Sequence, residues 1–253
     1  LYKQLMDYNH YLSSASITRR VIDESSSTVD WMNKHGAKLE LIDWNPQQGQ
    51  NPYPIRWRIY HRYVDNAGAF KNMYDAFGKL GGKLLLQTRA YDLTQDKDGN
   101  VTAVIAEKAD GGKLTIKTSA VILASGGYGA DQSLLPPKMK SFLFYGVDGE
   151  TGDGLKMGEA IGAATINMDL VKQYPQGVET RPHHGLAATA SSTDTMKKSG
   201  AIYVNRDGKR FVDENAGLGV LTDKTIEQPG SIAYIVMDDA AWKQYVAKSL
   251  EDK

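Results

Sequence analysis

The sharpest change in the hydrophobic pattern of the chain falls within residues 119–129. The apolar run 121–123 is continuous, which is typical of a short strand that is covered on both faces. Small residues follow it, and then Gly126 and Gly127, where the backbone can take a positive φ and approach another group closely. The pattern predicts a buried strand that ends in a ligand-binding turn at the carboxyl edge of an α/β sheet, with an ordinary tight turn as the alternative.

Helical periodicity marks two segments that precede this strand. The apolar positions of residues 1–35 lie close to one helical face, and Gly36 is a suitable residue to end that helix. Aromatic and apolar residues repeat at helical spacing through residues 70–80, directly before Gly81. We therefore predict two helices, each ended by a glycine.

Three strand patterns separated by turn residues follow the second helix. Strands are expected at 83–88, 101–106 and 113–118, with Asp-Gly turns within 98–100 and 110–112. This arrangement predicts a three-stranded antiparallel meander that leads into the buried strand. The sheet is therefore expected to belong to a larger α/β domain.

Beyond residue 150 the pattern indicates a helix and then a second domain. Asp153 lies where a carboxylate can cap a helix N-terminus, or where it can meet a polar ligand together with the turn backbone. The later elements are a hairpin, a strand and a helix, at 200–205 with 209–214, 231–236 and 240–250. We predict an α/β fold (α+β overall), with a partial α/β domain over 1–170 and a partial α+β domain over 171–253.

Composition narrows the classes of function. The 253 residues carry 30 basic and 30 acidic side chains, so no nucleic-acid partner is expected. No apolar run approaches the roughly 20 residues that span a bilayer, so no membrane span is expected. The chain has no cysteine, and its five histidines show no ligand spacing beyond the adjacent pair His183-His184, so no metal site is expected.

Three stretches, 124–129, 151–155 and 199–214, carry a family resemblance in their order and spacing. The chain resembles the flavoprotein family of fumarate reductase and succinate dehydrogenase over nearly its whole length. The similarity is strongest to the soluble flavocytochrome c type, a group that includes urocanate reductase and ketosteroid dehydrogenases. The resemblance implies a Rossmann-like FAD-binding domain followed by a capping domain, with the substrate between them. It also implies a small-molecule substrate, an electron-donor domain or protein, and a group whose members are often exported.

The same resemblance assigns the cofactor-binding residues. Gly126, Gly127 and Asp153 are expected at the FAD, and the backbone near Ala90 is expected at its adenine side. In this family, flavin N5 passes a hydride to an activated carbon–carbon double bond, or takes one from the saturated product. The capping domain holds substrate carboxylates and supplies a proton.

The chain departs from the family pattern at the substrate side. Tyr174 stands where the family has histidine, Thr193 and Asp194 stand for its Thr-Glu pair, and its catalytic arginine has no counterpart. Arg181 and His184 lie in an insertion beside the expected pocket and are the candidates to replace these groups. We therefore expect a substrate other than fumarate.

A second departure is that no glycine-rich G-x-G-x-x-G turn occurs in the sequence, so the chain is expected to be an internal part of a longer protein. The leading interpretation is a reductase or dehydrogenase that acts on a small unsaturated acid or enone. One alternative is a ketosteroid-type dehydrogenase, in which Tyr174 polarises a carbonyl. The other is a catalytically silent domain that binds no flavin and serves as a scaffold or partner surface.

Overall fold

The computed structural model describes residues 1–41, 61–175, 177–186 and 200–251. The chain divides into two compact units, residues 1–86 and residues 87–253. This division falls inside the first domain predicted from the sequence, and the domain boundary at residue 170 stays a prediction. Across the described ranges, no helix combines the length and the apolar character that a membrane crossing requires.

In its described residues, the first unit has three α-helices and a two-stranded antiparallel sheet. Its elements are α1 (Tyr2–Tyr8), α2 (Ala15–Lys34), β1 (Leu39–Leu41), β2 (His61–Tyr63) and α3 (Asn66–Lys79). The single helix predicted for residues 1–35 is therefore wrong, because the chain turns between α1 and α2. His10 and Tyr11 take φ values of 50° and 59° at this turn. The predicted glycine stops are confirmed, since Gly36 and Gly81 follow α2 and α3 with φ values of 96° and 87°.

The second unit begins with the antiparallel meander, formed by β3 (Thr88–Gln95), β4 (Val101–Lys108) and β5 (Lys113–Lys117). The meander is confirmed, but the strand predicted at 83–88 is wrong, because β3 starts where that segment ends. The Asp96 carboxylate accepts two backbone N–H bonds of 2.9 Å within the first turn. Gln95 and Val101 flank this turn and form the pair of the β3–β4 ladder that lies next to it. The ladder ends at the pair of Thr88 and Lys108, because the chain turns directly after Lys108, where the Gly111 N–H donates to the Lys108 carbonyl oxygen.

The apolar run 121–123 is not a strand, which corrects the central prediction of the sequence pattern. The segment has no regular secondary structure, and Ile122 is 92% exposed. A strand needs a neighbour for its backbone donors and acceptors. In the described part of the chain, no strand pairs with this segment.

Further α-helices and strands lie in the described part of the second unit. They are α4 (Asp153–Ala160), β6 (Val178–Arg181), β7 (His184–Leu186), β8 (Ile202–Val204), α5 (Leu218–Ile226), β9 (Tyr234–Val236) and α6 (Asp239–Glu251). Two antiparallel pairs form, β6 with β7 and β8 with β9. The predicted last helix is confirmed, whereas the strand predicted at 231–236 forms only over Tyr234–Val236, after a 3-10 helix at Pro229–Ser231. The Ala241 N–H donates to Asp238 Oδ1 at 2.7 Å, as expected for a cap of α6.

The hairpin predicted over residues 200–214 forms only at its turn. Asn205 Oδ1 accepts two backbone N–H bonds of 3.0 Å there. The strand predicted at 209–214 is wrong, because β8 pairs with β9 and the Tyr203 N–H donates to Glu214 Oε1 at 2.8 Å. Glu214 is only 6% exposed and also accepts hydrogen bonds from the Arg210 guanidinium, the shortest at 2.6 Å. The buried carboxylate of Glu214 therefore binds the Tyr203 N–H, and no second hairpin strand forms over the described residues 209–214.

Candidate functional site

A backbone hydrogen bond holds the glycine turn against the start of α4. The Gly152 N–H donates to the Gly127 carbonyl oxygen at 3.1 Å. Gly126 has a φ of 82°, a conformation that favours glycine, and both turn glycines are exposed. The structure therefore brings Gly126 and Gly127 next to the segment that carries Asp153.

Two further glycines allow this close approach. A Cβ at Gly152 would lie 2.6 Å from Leu134 Cδ1, and a Cβ at Gly154 would lie 2.3 Å from Ser125 Oγ. A side chain at either position would require the neighbouring side chain to move, and Gly152 also has a φ of 73°, which favours glycine. The glycine before Asp153 is therefore explained by its backbone conformation and by its close contact with Leu134.

Asp153 is the first residue of α4, but its carboxylate does not cap the helix, which corrects that interpretation. Gly152 is the N-cap residue, and no side chain caps the backbone there. Asp153 instead accepts two hydrogen bonds from the Arg89 guanidinium, at 2.9 and 3.0 Å, and one from Thr151 Oγ1 at 3.0 Å. The bonds from Arg89 hold the pKa of Asp153 below its ordinary value of 3.8, although partial burial acts in the opposite direction.

Ala90 follows Arg89 in β3 and pairs with Ala106 of β4. Beside it lies an open groove of about 600 Å³ at the end of the meander. The groove is lined by Gln87, Thr88, Arg89, Glu107, Lys108, Ala109 and Gly111. Through Arg89, the strand that carries Ala90 is connected directly to the carboxylate of Asp153. Sequence reasoning missed Arg89, although it is the neighbour of a predicted contact.

A second ion pair supports the same turn. Lys156 Nζ donates to Asp131 Oδ2 at 2.7 Å and to the Thr151 carbonyl oxygen at 3.0 Å. Hydrogen bonds from Lys156 and then from Ser133 lower the pKa of Asp131 from 3.8 to about 2. Asp131 and Lys156 were not singled out from the sequence, because neither belongs to a recognisable motif.

Arg181 and His184 meet at one carboxylate. Arg181 of β6 donates a hydrogen bond to Asp148, and His184 Nδ1 of β7 lies 3.5 Å from the same Asp148 oxygen. The His184 ring meets the Phe144 ring edge-on, with 5.6 Å between the centroids. The structure therefore groups two predicted catalytic side chains around the segment 144–148.

Tyr174 contacts the same segment from another direction. Its ring meets the Tyr145 ring edge-on at 6.3 Å, and Lys172 Nζ lies 5.0 Å from the centre of the Tyr174 ring. Tyr174 is 47% exposed. Thr193 and Asp194, the other predicted catalytic residues, lie outside the described residues. Within those residues, no group of three or more His, Asp or Glu side chains could hold a metal ion.

Replacing Gly152 with alanine is expected to destabilise the second unit by about 1–3 kcal/mol, because Gly152 has a φ of 73° and the new Cβ would lie 2.6 Å from Leu134 Cδ1 and 3.0 Å from Tyr128 Cβ. Gly158→Ala is the control within α4, since its Cβ would make ordinary contacts of 3.6 and 3.7 Å. That control is expected to be neutral or stabilising by up to about 1 kcal/mol, from helix propensity. Chemical denaturation measures both variants, and equal stabilities would contradict the conformation and packing described for Gly152.

The glycine turn beside the start of α4 indicates a class of protein. Backbone N–H groups in such a turn suit the oxygen atoms of a nucleotide cofactor. A family model described as FAD binding domain matches residues 3–251. The chain belongs to this family, whose cofactor is FAD, and the resemblance found in the sequence is confirmed.

The chain is also similar to known proteins in sequence and in fold. The chain is 27% identical over 250 residues to a fumarate reductase (cytochrome) of Shewanella frigidimarina, covering 96% of this chain and 41% of the relative. It is 28% identical over 242 residues to an NADH:acrylate oxidoreductase of Vibrio harveyi, covering 92% and 22%. The open conformation of a flavocytochrome c3 fumarate reductase has a similar fold, with a TM-score of 0.76, 24% identity, and coverage of 99% and 43%. The predicted mixed α/β fold is confirmed, and the chain spans less than half of each of these proteins.

Proposed function

We propose that the protein is an FAD-dependent oxidoreductase that reduces, or forms, an activated carbon–carbon double bond in a small unsaturated acid. The observation that carries this proposal is the hydrogen bond between the glycine turn and Gly152, the residue before Asp153, in a chain that belongs to the FAD binding domain family. When bound, FAD supplies a hydride at its N5 atom to the double bond. An electron-donor domain or protein is required to return electrons to the cofactor.

The residues at the turn fit an FAD molecule. In the described ranges, neither the Gly126 N–H nor the Gly127 N–H donates to another residue. Exposed backbone N–H groups of a glycine turn suit oxygen atoms of a cofactor. We assign Gly126, Gly127 and Asp153 to the cofactor, and the backbone at Ala90 to its adenine side.

Substrate binding is assigned to the cluster around Asp148. Arg181 and His184 offer N–H donors to a substrate carboxylate, and the Tyr174 hydroxyl is assigned as the proton donor to the developing carbanion. Thr193 and Asp194 are proposed to complete the pocket. Arg181 already shares its charge with Asp148, which favours a substrate with one carboxylate over a dicarboxylate such as fumarate.

A ketosteroid-type dehydrogenase is the competing activity within the same fold. It would require a mostly apolar pocket, in which a tyrosine such as Tyr174 polarises a carbonyl. The charges of Lys172 and Arg181 beside the proposed site favour an acid. Oxidation of the reduced protein by unsaturated acids, compared with steroid enones, distinguishes the two activities.

Replacing Tyr174 with phenylalanine is expected to lower the turnover number by about 100-fold and to change KM little, because a proton donor acts in the transition state. Tyr145→Phe is the matched control, since it removes the hydroxyl of the ring that contacts Tyr174. Steady-state kinetics with an unsaturated acid measures both variants. An unchanged turnover number in Tyr174→Phe would remove Tyr174 from the chemistry.

A further inference from the structure

The contact between Arg89 and Asp153 joins two parts of the chain that are 64 residues apart. The Arg89 Nε and Nη2 atoms bind different oxygens of the carboxylate, at 2.9 and 3.0 Å. Such a bidentate contact fixes the plane of a carboxylate, which a single hydrogen bond does not do. Asp153 is 22% exposed on its side chain, so it is the less mobile partner of the pair.

The hydrogen bonds leave Asp153 with an acceptor position to spare. Oδ1 accepts bonds from Arg89 and Thr151, whereas in the described residues Oδ2 accepts only the Arg89 Nε–H. A carboxylate oxygen has two lone pairs, so Oδ2 can take one more donor. A sugar hydroxyl of a nucleotide cofactor is a donor of the right kind.

We propose that Arg89 is a positioning residue for the cofactor, which holds the Asp153 carboxylate in one orientation and leaves a lone pair of Oδ2 for a hydroxyl of FAD. This inference rests on the proposed function, and it adds a residue that was not assigned to the site from the sequence. Arg89 acts through Asp153 and is not itself assigned a contact with the flavin ring.

The charged groups near Arg89 and Asp153 determine how the removal of Arg89 changes the pKa of Asp153. Glu107 of β4 pairs with Arg89 in the strand register, and Lys156 lies one turn further along α4. Without Arg89, Lys156 remains the cation near Asp153, and the pKa of Asp153 returns toward its ordinary value of 3.8. A role in positioning therefore predicts a change in how FAD binding depends on pH.

The test is the dissociation constant of FAD, measured by flavin fluorescence with wild-type protein, Arg89→Met and Arg89→Lys. We expect Arg89→Met to weaken binding about 10-fold near neutral pH, and Arg89→Lys to fall between it and the wild type. As the pH falls from about 5 through about 3.8, Asp153 is expected to gain a proton in Arg89→Met before it does in the wild type, so binding by Arg89→Met is expected to weaken further than binding by the wild type. Arg62→Met is the matched control, because Arg62 is similarly exposed and pairs with Glu40 in the first unit.

The outcomes separate this inference from the proposed function. If Arg89→Met binds FAD as tightly as the wild type, or more tightly, the ion pair of Arg89 with Asp153 does not promote FAD binding, and the inference is overturned. A weaker Arg89→Met with a pH profile parallel to that of the wild type also overturns it, since a purely structural loss leaves the profile unchanged. A wild-type protein that binds no FAD at any pH overturns the proposed function together with the inference.

Discussion

Replacing Glu214 with glutamine is expected to lower the free energy of unfolding by about 2 to 3 kcal/mol near neutral pH. The side chain of Glu214 is 7% exposed, and it accepts hydrogen bonds from the Arg210 guanidinium and from the Tyr203 N–H. These interactions, led by the bonds from Arg210, lower the pKa of Glu214 from 4.5 to about 2. Glutamine keeps an acceptor for Tyr203 but loses the charge that pairs with Arg210.

The stabilisation by Glu214 is expected to depend on pH. Because the pKa of Glu214 is lower in the folded state, its stabilisation is complete above about pH 4.5 and is lost as the pH falls toward about 2. The difference in unfolding free energy between wild type and Glu214→Gln is therefore expected to shrink across this range. Denaturant unfolding at several pH values measures it.

A matched control separates burial from charge pairing. Glu227 forms an ion pair with Lys224 at 2.8 Å, but its side chain is 56% exposed. Glu227→Gln is expected to change stability by less than about 0.5 kcal/mol, as is usual for exposed pairs. Equal losses in the two variants would contradict the special role of the buried Glu214.

Local chemistry explains which parts of the fold could be predicted from the sequence. The Asp-Gly turns of the meander, the glycine stops after α2 and α3, and the start of α4 all depend on residues within one turn of the feature. For this reason Gly36, Gly81 and Asp153 were placed correctly as turn or helix-end residues. The later strands β4 and β5 follow from the turns that flank them.

Non-local competition explains the failures. The run 121–123 has strand composition, but composition does not supply the neighbouring strand that a ladder needs. The segment 209–214 forms no strand, because Glu214 accepts the hydrogen bond of the Tyr203 N–H and β8 pairs with β9 instead. Each outcome depends on residues more than 10 positions away.

The same limit applies to the candidate site. Arg89 meets Asp153 across 64 residues, and Arg181 meets Asp148 across 33 residues. No spacing rule marks either pair, so sequence reasoning found Asp153 and Arg181 but not the residues that bind them. Tyr174 was predicted apart from the pair Arg181 and His184, and the structure groups all three around the segment 144–148.

Replacing Asp153 with alanine is expected to weaken FAD binding by about 10- to 100-fold, because a charge-assisted hydrogen bond to the cofactor is lost. Asp153→Asn keeps the shape of the side chain and separates charge from packing, so it is expected to weaken binding less than Asp153→Ala. Asp75→Ala is the control, since Asp75 is an exposed aspartate that pairs with Lys71 in α3. Flavin fluorescence measures the dissociation constants, and unchanged binding in both Asp153 variants would remove this carboxylate from the cofactor site.

The central claim is that the glycine turn and Asp153 hold FAD, and the absorbance and fluorescence spectrum of the purified protein with added FAD tests it most directly. We expect a shifted flavin absorbance band and a changed flavin emission that remain with the protein after gel filtration. Circular dichroism establishes that the protein is folded in the same sample. A folded protein that leaves the spectrum of free FAD unchanged would contradict the account and favour a scaffold role.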